Sequence, residues 1–313
     1  MKIYKSLSKF KSVNKTFVTI GTFDGVHVGH KKVLKNLIKD AHKKKSETIL
    51  LTFFPHPRIV LQKDAGIKLI NTIDERIDLL EAIGLDHLII QKFTKKFSNQ
   101  SALEFVRNVI VNSLNTRKLF VGYDHQFGKN REGNFDQLQD YGVSYEFSVK
   151  EISQKELDAI TISSTKIRKA LEEGYIEKAN QYLGYNFMLT GKVIKGQNLG
   201  EKIGFPTANI FIKESYKLIP KTGAYIVRST IKGVKVYGMM NIGYRPTVSG
   251  KHQTIEIHFF DLNKDLYDKK IKVEVLKFLR NEKKFDSVDE LKEQLQLDKE
   301  NSLKLIGTLF ETN

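Results

Sequence analysis

The chain has 313 residues, 40% hydrophobic and 28% charged, with 52 Lys+Arg against 36 Asp+Glu and a formal net charge of +16. Such a composition is typical of a globular protein, and the length suits two domains of roughly 100 to 200 residues each. The absence of cysteine excludes disulfides, thiolate zinc sites and cysteine nucleophiles. A metal would therefore need oxygen or nitrogen ligands, which makes magnesium the leading candidate.

The N-terminal sequence MKIYKSLSKFKSVNK is basic but lacks an apolar segment and a small-residue cleavage site, and no run approaches the roughly 18 apolar residues of a membrane span. We therefore expect a cytoplasmic protein with no membrane partner. The positive charge is compatible with nucleic acid, an anionic membrane or phosphorylated small substrates. Because the lysines are scattered, a solvated basic surface without a nucleic-acid partner is favoured.

From Phe17 to about Val149, short apolar runs alternate with helical patterns, which predicts an α/β domain with a parallel, doubly wound sheet. The runs are FVTIG, TILLTFF, HLIIQ, KLFVGY and VSYEFSV, and the helical patterns cover 30–44, 72–83 and 101–114, with a weaker one before the last run. Two of these helices begin with capping boxes, formed by Thr72 with Glu75 and by Ser101 with Glu104. A helical pair is predicted at 164–173 and 176–183, closed by Gly184.

After Gly184 the pattern becomes β-rich, which predicts an antiparallel domain that closes into a barrel or sandwich. Lys232-Gly233 stands where a hairpin turn is needed, and Ser287 begins a C-terminal helix. The expected domains are therefore 1–185 and 186–313.

The segment IGTFDGVHVGH, residues 20–30, leads from a buried strand through two glycines into a helix. It places His27 and His30 at the helix N-terminus, where backbone N–H groups and the helix dipole favour anions. Two such histidines can donate hydrogen bonds to phosphate oxygens and stabilise the charge of a nucleotidyl-transfer transition state. A zinc pair or a chance helix cap are the alternatives, although zinc would need a third ligand.

Four ordered motifs extend this observation: GTFDGVHVGH, FFPHP at 53–57, VGYDHQFGKNREG at 121–133 and ISSTKIR at 162–168. The strand, turn and H-x-G-H resemble the nucleotidylyltransferase superfamily, and the ordered set resembles bacterial FAD synthetases, the N-terminal module of bifunctional riboflavin kinase/FMN adenylyltransferases. The resemblance implies catalytic roles for His27, His30 and Arg168. It further implies ATP or flavin contacts at Gly21, Phe23, Asp24, Gly29, His56, Asp124, Asn130, Ser163, Ser164 and Thr165. A helix cap followed by a solvated arginine remains the alternative for ISSTKIR, and His125 departs from the aromatic residue more usual in the family.

The segment GKVIKGQNLGEKIGFPTANI, residues 191–210, is dense in glycine, as suits a loop whose backbone amides wrap phosphates. Turns of β-barrels also collect glycines, so this alternative stays open. Thr207 and Asn209 are two residues apart, and on an extended chain their oxygens share one face. Such neutral oxygen ligands suit magnesium held by ATP. A cross-strand threonine and a turn-forming asparagine are the alternatives.

GFPTAN, NIGYRPTV, IEIHFFDLNKDLY and FLRNEKKFDSVDELKEQLQLD together resemble the riboflavin kinase family over almost the whole second half. In TIEIHFF, alternation separates Glu256 from Ile255 and Ile257, and the resemblance makes Glu256 the general base for the ribityl hydroxyl. The family pattern also assigns Gly191, Gly196, Gly204, Pro206, Thr207, Asn209 and Arg280 to the binding site, with Phe285 in a flavin-covering flap. Asp268 replaces the usual glycine of the following turn.

The resemblance implies an enzyme that phosphorylates riboflavin to FMN and adenylylates FMN to FAD, with ATP as co-substrate, Mg²⁺ as cofactor and flavoproteins as FAD acceptors. One alternative keeps the fold but gives the first domain a different phosphorylated acceptor. The other is a basic nucleic-acid-binding regulator, although no helix-turn-helix or RNA-binding signature is recognisable.

Overall fold

The computed structural model describes residues 1–62, 66–122, 126–152, 162–196, 199–247, 250–262 and 264–311. It divides into two compact units, Met1–Ser164 and Thr165–Asn313. The predicted candidates Asp124 and His125 lie outside the described residues. The division of the two activities at residues 185 and 186 stays a proposal.

The first unit contains a six-stranded sheet in which every pair is parallel, as the sequence predicts. Its strands are β1 (Lys2–Tyr4), β2 (Thr16–Ile20), β3 (Glu47–Phe54), β4 (His87–Lys92), β5 (Thr116–Gly122) and β6 (Ser148–Ile152), in the spatial order β1-β4-β3-β2-β5-β6. All five residues of β2 are buried, with Val18 and Ile20 in one apolar cluster and Phe17 in another. Both faces of the sheet are therefore covered, which is the arrangement of a doubly wound fold.

The helices of the first unit are α1 (Val28–Lys43), α2 (Pro57–Leu61), α3 (Ile73–Glu81), α4 (Lys95–Ser98), α5 (Ala102–Phe105), a π-helix (Val106–Ser113) and α6 (Phe135–Ser144), with short 3₁₀ turns at Leu7–Lys9 and Lys129–Arg131. Both predicted capping boxes are present at the starts of α3 and α5. The predicted strand at 143–149 begins too early, because α6 continues through Ser144. Strand β1 was not predicted from the sequence.

The second unit begins at Thr165, within α7 (Ser164–Glu173), and continues with α8 (Ile176–Leu183). A closed six-stranded barrel follows, built from β7 (Met188–Ile194), β8 (Ala208–Phe211), β9 (Gly223–Ile231), β10 (Val234–Thr247), β11 (Gly250–Phe259) and β12 (Lys270–Arg280), with the short α9 (Leu199–Lys202) before β8 and the terminal α10 (Val288–Glu311). All its pairings are antiparallel, so the barrel prediction is confirmed. Helix α9 was not expected.

Left-handed residues mark several turns of the second unit. Gly184 closes α8 with φ of 66°, and Lys232 and Gly233 join β9 to β10 with φ of 51° and 82°. These are the conformations that glycine tolerates best and that a two-residue hairpin requires. Asp268 is also left-handed, with φ of 62°, and its carboxylate lies 2.8 Å from Lys192 Nζ.

Candidate active sites

The first candidate site lies at the carboxyl end of β2. This strand has β3 on one side and β5 on the other, so the order of strands along the chain reverses at this point. In open parallel sheets, ligands bind beyond the carboxyl ends of the strands where such a reversal occurs. The Gly21–His30 segment therefore occupies the position where the fold provides a ligand crevice.

The turn between β2 and α1 has an unusual backbone. Phe23, Gly25 and Val26 have φ angles of 47°, 87° and 36°, and the side chains of Phe23 and Val26 are buried. A Cβ atom on Gly21 would lie 2.9 Å from the Phe23 ring, so the close approach requires glycine there. Positive φ angles are unfavourable for residues other than glycine and persist only where surrounding contacts enforce them.

His27 and His30 lie together at the start of α1. Their rings stack with centroids 3.6 Å apart and planes 18° from parallel, and the Phe23 ring lies 4.7 Å from His30. His27 is the N-cap, and its Nδ1 accepts the backbone N–H of His30 at 3.3 Å. Because a backbone N–H only donates, a neutral His27 must carry its proton on Nε2. It can thus donate a hydrogen bond to a ligand oxygen.

The protonation of both histidines is shifted by their surroundings. Burial lowers the pKa of His27 to about 4, with the nearby Asp24 charge opposing and Lys31 reinforcing this effect. Burial also holds the pKa of His30 well below its usual range, and the charges of His27 and Arg76 lower it further. Both imidazoles are therefore neutral at pH 7 in the free protein, and among the described residues the buried Nδ1 of His30 has no hydrogen-bond partner.

Asp24 lies beneath the turn rather than at its surface. Only 1% of the residue is exposed, and its carboxylate accepts the backbone N–H groups of Ile70 at 3.1 Å and Asn71 at 3.3 Å. Arg76 Nη2 lies 3.5 Å from Asp24 Oδ1, and Ser164 Oγ donates to the Asp24 carbonyl at 2.8 Å. The structure thus brings the predicted Asp24 and Ser164 together and adds Arg76, which the motifs did not indicate.

The remaining predicted residues of this site are spread over several elements. His56 is a buried N-cap of α2 whose Nδ1 accepts the Arg58 N–H at 3.2 Å, and Asn130 is exposed with φ of 55°. Gly29 lies in the first turn of α1. Ser163 precedes α7, Thr165 is exposed in its first turn, and Arg168 is half-buried within it.

A large cavity in the first unit was not predicted. Its volume is about 520 Å³, and Ile20 at the end of β2 is one of its lining residues. Five phenylalanines line it together with cationic and amide residues: Phe53, Phe93, Phe97, Phe105 and Phe127, and Arg58, Gln62, Lys129, Asn130 and Arg131. An apolar cavity with a few polar groups suits a planar aromatic ligand that bears an anionic group. Spacing alone could not find it, because its phenylalanines are spread along the chain from Phe53 to Phe127.

The second candidate site lies in a cavity of about 280 Å³ in the barrel unit. Thr254, Glu256 and His258 line it, as the predicted alternation along β11 requires. Glu256 is in register with Asn209 on β8 and with Asn241 on β10. Since directly paired residues project to the same face of a sheet, the three side chains form a row. We call Asn209, Glu256 and Asn241 the polar row.

The segment before β8 is held close to this row. A Cβ atom on Gly196 would lie 2.2 Å from the Asn209 amide nitrogen, so glycine permits the backbone to approach that side chain. The Pro206 carbonyl lies 2.9 Å from His258 Nδ1, which must be protonated because a carbonyl only accepts. Burial lowers the pKa of His258. Thr207, which follows Pro206, lines the cavity.

The other two predicted glycines have different local roles. Gly191 lies within β7, where a Cβ atom would come within 2.6 Å of both Ile210 Cγ2 and the Phe211 carbonyl, so it permits close strand packing. Gly204 has φ of 87° with open space around it, which indicates a turn.

Arg280 lines the cavity but is already engaged by Asp298. Its Nη2 lies 2.7 Å from Asp298 Oδ2 and its Nε lies 3.0 Å from both carboxylate oxygens. Asp298 is 4% exposed on α10, so this bidentate pair attaches the end of β12 to the terminal helix. Phe285 lies in the segment that connects these two elements, and it also lines the cavity.

The side-chain oxygens of Thr207 and of Asn209 and Glu256 in the polar row fit a magnesium ion that arrives with ATP. Thr207 offers a hydroxyl and Asn209 an amide oxygen, and Glu256 adds a carboxylate in register with Asn209. Magnesium prefers such oxygen ligands and often retains phosphate and water in its coordination shell. Within the described ranges, no group of three or more His, Asp or Glu residues is placed to hold a metal without such help.

Comparison with known proteins decides the family. A model described as FAD synthetase matches residues 9–166, and one described as riboflavin kinase matches residues 183–306. The bifunctional riboflavin kinase/FMN adenylyltransferase of Buchnera aphidicola subsp. Schizaphis graminum is 39% identical over 303 residues, which cover 95% of this chain and 96% of that protein. The chain belongs to the family of bifunctional riboflavin kinase/FMN adenylyltransferases. The Escherichia coli K12 member is 35% identical over 93% of this chain and 92% of its own length.

A solved structure from Streptococcus pneumoniae has a TM-score of 0.86 at 29% identity and covers 96% of this chain and 98% of its own. That structure is described as a macrolide-efflux protein. The family assignment here depends on the more similar bifunctional relatives. No helix in the described part of this chain has the length and apolar character needed to cross a membrane.

Each family match contains the main residues of one candidate site, whereas Thr165 lies in the first match but in the second compact unit, and Arg168 lies between the two matches. The FAD synthetase match contains the His27 turn and the phenylalanine-lined cavity, and the riboflavin kinase match contains the polar row and Arg280. Each family match thus contains one candidate site.

Proposed function

We propose that the second unit phosphorylates riboflavin to FMN and that the first transfers AMP from ATP to FMN, with release of pyrophosphate and FAD. The observation that supports this most directly is the presence of two chemically different sites, each within the matching family segment. The first has neutral hydrogen-bond donors at a helix N-terminus, and the second has a carboxylate inside a cavity.

In the proposed adenylyl transfer, a phosphate oxygen of FMN attacks the α-phosphorus of ATP and the bond to pyrophosphate breaks. The Nε2–H of His27, together with His30 and the N-terminal amides of α1, stabilises the negative charge on the phosphate oxygens. Arg168, which lies in the second compact unit, stays a candidate for phosphate binding that the family resemblance alone supports. The phenylalanine-lined cavity receives the flavin ring, and no covalent enzyme intermediate forms.

In the proposed kinase reaction, Glu256 takes the proton of the ribityl hydroxyl, whose oxygen attacks the γ-phosphorus of ATP while ADP leaves. Thr207 and Asn209 would hold Mg²⁺, which neutralises phosphate charge when it is bound. Asn209 and Asn241 flank Glu256 and orient the reacting groups. The Asp298-anchored Arg280 and Phe285 cover the flavin.

We also propose where in the cell the enzyme works and which partners it has. ATP and riboflavin as substrates fit a cytoplasmic enzyme whose FAD passes to flavoproteins. Nucleic acid and membranes are not proposed as partners. Titration with labelled RNA and DNA at physiological salt tests this point, since tight binding under those conditions would contradict it.

The function is tested by incubating the purified protein with riboflavin, ATP and magnesium and separating riboflavin, FMN and FAD by chromatography over time. FMN followed by FAD is the expected result. If riboflavin is converted to FMN but no FAD forms, even when FMN is supplied directly, the result would support another acceptor for the first unit. No conversion of either riboflavin or FMN would contradict the whole proposal.

Substitutions separate the two sites. Glu256→Gln is expected to abolish FMN formation while FAD synthesis from supplied FMN continues, because it removes only the proton acceptor of the kinase. His30→Ala is expected to do the reverse. Glu172→Gln on α7 and His42→Ala on α1 are matched controls, since both side chains are exposed and lie outside the sites. Loss of both activities in either folded site variant would contradict the division.

A further inference from the structure

The turn that presents His27 must be held in place by groups outside it. Phe23 and Val26 both have positive φ angles, and neither is glycine. Such a backbone persists only where its surroundings fix it. The contacts of the Thr22–Asp24 segment therefore determine where the two histidines lie.

Arg76 contacts both ends of that segment. Its Nη1 donates to the Thr22 carbonyl at 2.8 Å, and its Nη2 lies 3.5 Å from Asp24 Oδ1. Both charged side chains are 1% exposed, so solvent does not screen the pair. The planar guanidinium can serve both acceptors at once, which the single ammonium of lysine cannot do in the same geometry.

The position of Arg76 is itself set by the start of α3. The Thr72 hydroxyl accepts the Glu75 N–H at 3.2 Å, and Glu75 Oε2 accepts the Thr72 N–H at 2.9 Å. This capping box fixes the first turn of the helix, and Arg76 is the residue that directly follows Glu75. The capping box that predicts the start of α3 from the sequence thus also orients the buried guanidinium of Arg76 toward the Thr22–Asp24 segment.

We infer that Arg76 is a positioning residue of the adenylyl-transfer site, which holds the Thr22–Asp24 segment so that His27 and His30 face the nucleotide phosphates. The inference rests on the function proposed above for the first unit. Because Arg76 is almost completely buried, it acts through the turn and not by contact with substrate.

The experiment compares Arg76→Lys and Arg76→Met with the parent enzyme. Adenylylation of supplied FMN is measured as separate kcat and KM values, and riboflavin phosphorylation is measured in the same preparations. In Arg76→Met, kcat for adenylylation is expected to fall on the order of 100-fold, the effect of displacing catalytic groups by about 1 Å. KM values and kinase activity should change little, and Arg76→Lys should recover part of the lost kcat.

His87→Gln provides a matched control for lost stability. His87 is a buried residue of the same unit at the amino end of β4, opposite the end of the sheet that bears the turn, and its Nε2 lies 3.4 Å from Glu47. It is expected to lower the unfolding temperature but to retain kcat when assayed below that temperature.

The inference is overturned if Arg76→Met, assayed while folded, keeps its kcat, or loses activity only in proportion to its unfolded fraction as His87→Gln does. If Arg76→Met does not fold, Arg76→Lys decides, and an unchanged kcat in that variant overturns the inference. A parent enzyme that converts riboflavin to FMN but never adenylylates FMN would instead refute the proposed function of the first unit.

Discussion

At the scale of single residues, His27 links the phosphate-binding turn to the pH dependence of stability. Its pKa is lowered from 6.5 to about 4 in the folded protein, mainly by burial. Between these values the unfolded chain binds a proton that the folded chain does not, so the contribution to stability is complete above pH 6.5 and is lost as the pH falls toward 4. At about 1.4 kcal/mol per pH unit, the loss is about 3 kcal/mol.

Replacing His27 by Gln is expected to remove this part of the pH dependence. The free energy of unfolding is measured from hydrogen exchange of the β2 amides at pH 7 and at pH 4. Its decrease from pH 7 to pH 4 should be about 3 kcal/mol smaller in His27→Gln than in the parent. His42→Gln on the same helix is the control, because His42 is exposed. An equal pH dependence in parent and His27→Gln would show that His27 does not remain neutral in the folded state.

Motif residues could be predicted from the sequence, but their supporting partners could not. Glu256 and His27 stand in short segments whose residue order is informative, and alternation alone placed Glu256 on the polar face of β11. Arg76 lies 54 residues beyond Thr22, whose carbonyl it binds, and Asp298 lies 18 residues beyond Arg280. Such pairs depend on the tertiary fold, and isolated charges in helices ordinarily indicate a solvated surface.

At the scale of elements, two glycines allow a direct test of backbone conformation. Gly233 has φ of 82° in the β9–β10 turn, Gly307 lies within α10, and an added Cβ atom would meet nothing within 4 Å at either position. The two positions therefore differ only in backbone conformation, which is left-handed at Gly233 and helical at Gly307. Gly233→Ala is expected to lower the free energy of unfolding by about 1 kcal/mol, and Gly307→Ala to raise it by about 0.8 kcal/mol.

Urea unfolding followed by circular dichroism measures both changes, and kinase activity should stay at the parent level in each variant. The opposite signs are the essential result, because the two substitutions add the same methyl group. Stabilisation by Gly233→Ala would mean that the hairpin does not adopt the left-handed turn.

The elements that were predicted well are those with a strong local signal. The capping boxes of α3 and α5 and the Lys232-Gly233 hairpin follow from hydrogen bonds and φ preferences within a few residues. Strand β1 has only three residues and gains its stability from pairing with β4, more than 80 positions away. The start of β6 was misplaced because VSYEFSV alternates apolar residues like a strand, whereas α6 extends into it.

At the scale of the whole molecule, the change of pattern after Gly184 correctly predicted a parallel α/β fold followed by an antiparallel barrel. Alternating helices and strands require crossover connections, whereas successive short strands pair with their neighbours. The sequence could not show that α7 and α8 belong to the second compact unit. Their helical periodicity is equally compatible with either neighbour.

Because the two candidate sites belong to different compact units, variants can test how FMN moves between the reactions. The polar row belongs to the second unit and the His27 turn to the first, so Glu256→Gln and His30→Ala each retain one of these sites. An equimolar mixture of the two variants is therefore expected to convert riboflavin to FAD through FMN released into solution. The parent enzyme, at the same concentration of each site, should show the same lag before FAD appears.

Labelled riboflavin with excess unlabelled FMN distinguishes free release from direct transfer. Unlabelled FMN should suppress labelled FAD equally in the parent enzyme and in the mixture, because both reactions draw on the same dissolved FMN. The parent enzyme could instead form labelled FAD without a lag, and unlabelled FMN could suppress labelled FAD in the mixture but not in the parent. That result would show that FMN passes between the sites without release. Equal suppression would establish that the two sites are coupled only through the concentration of FMN.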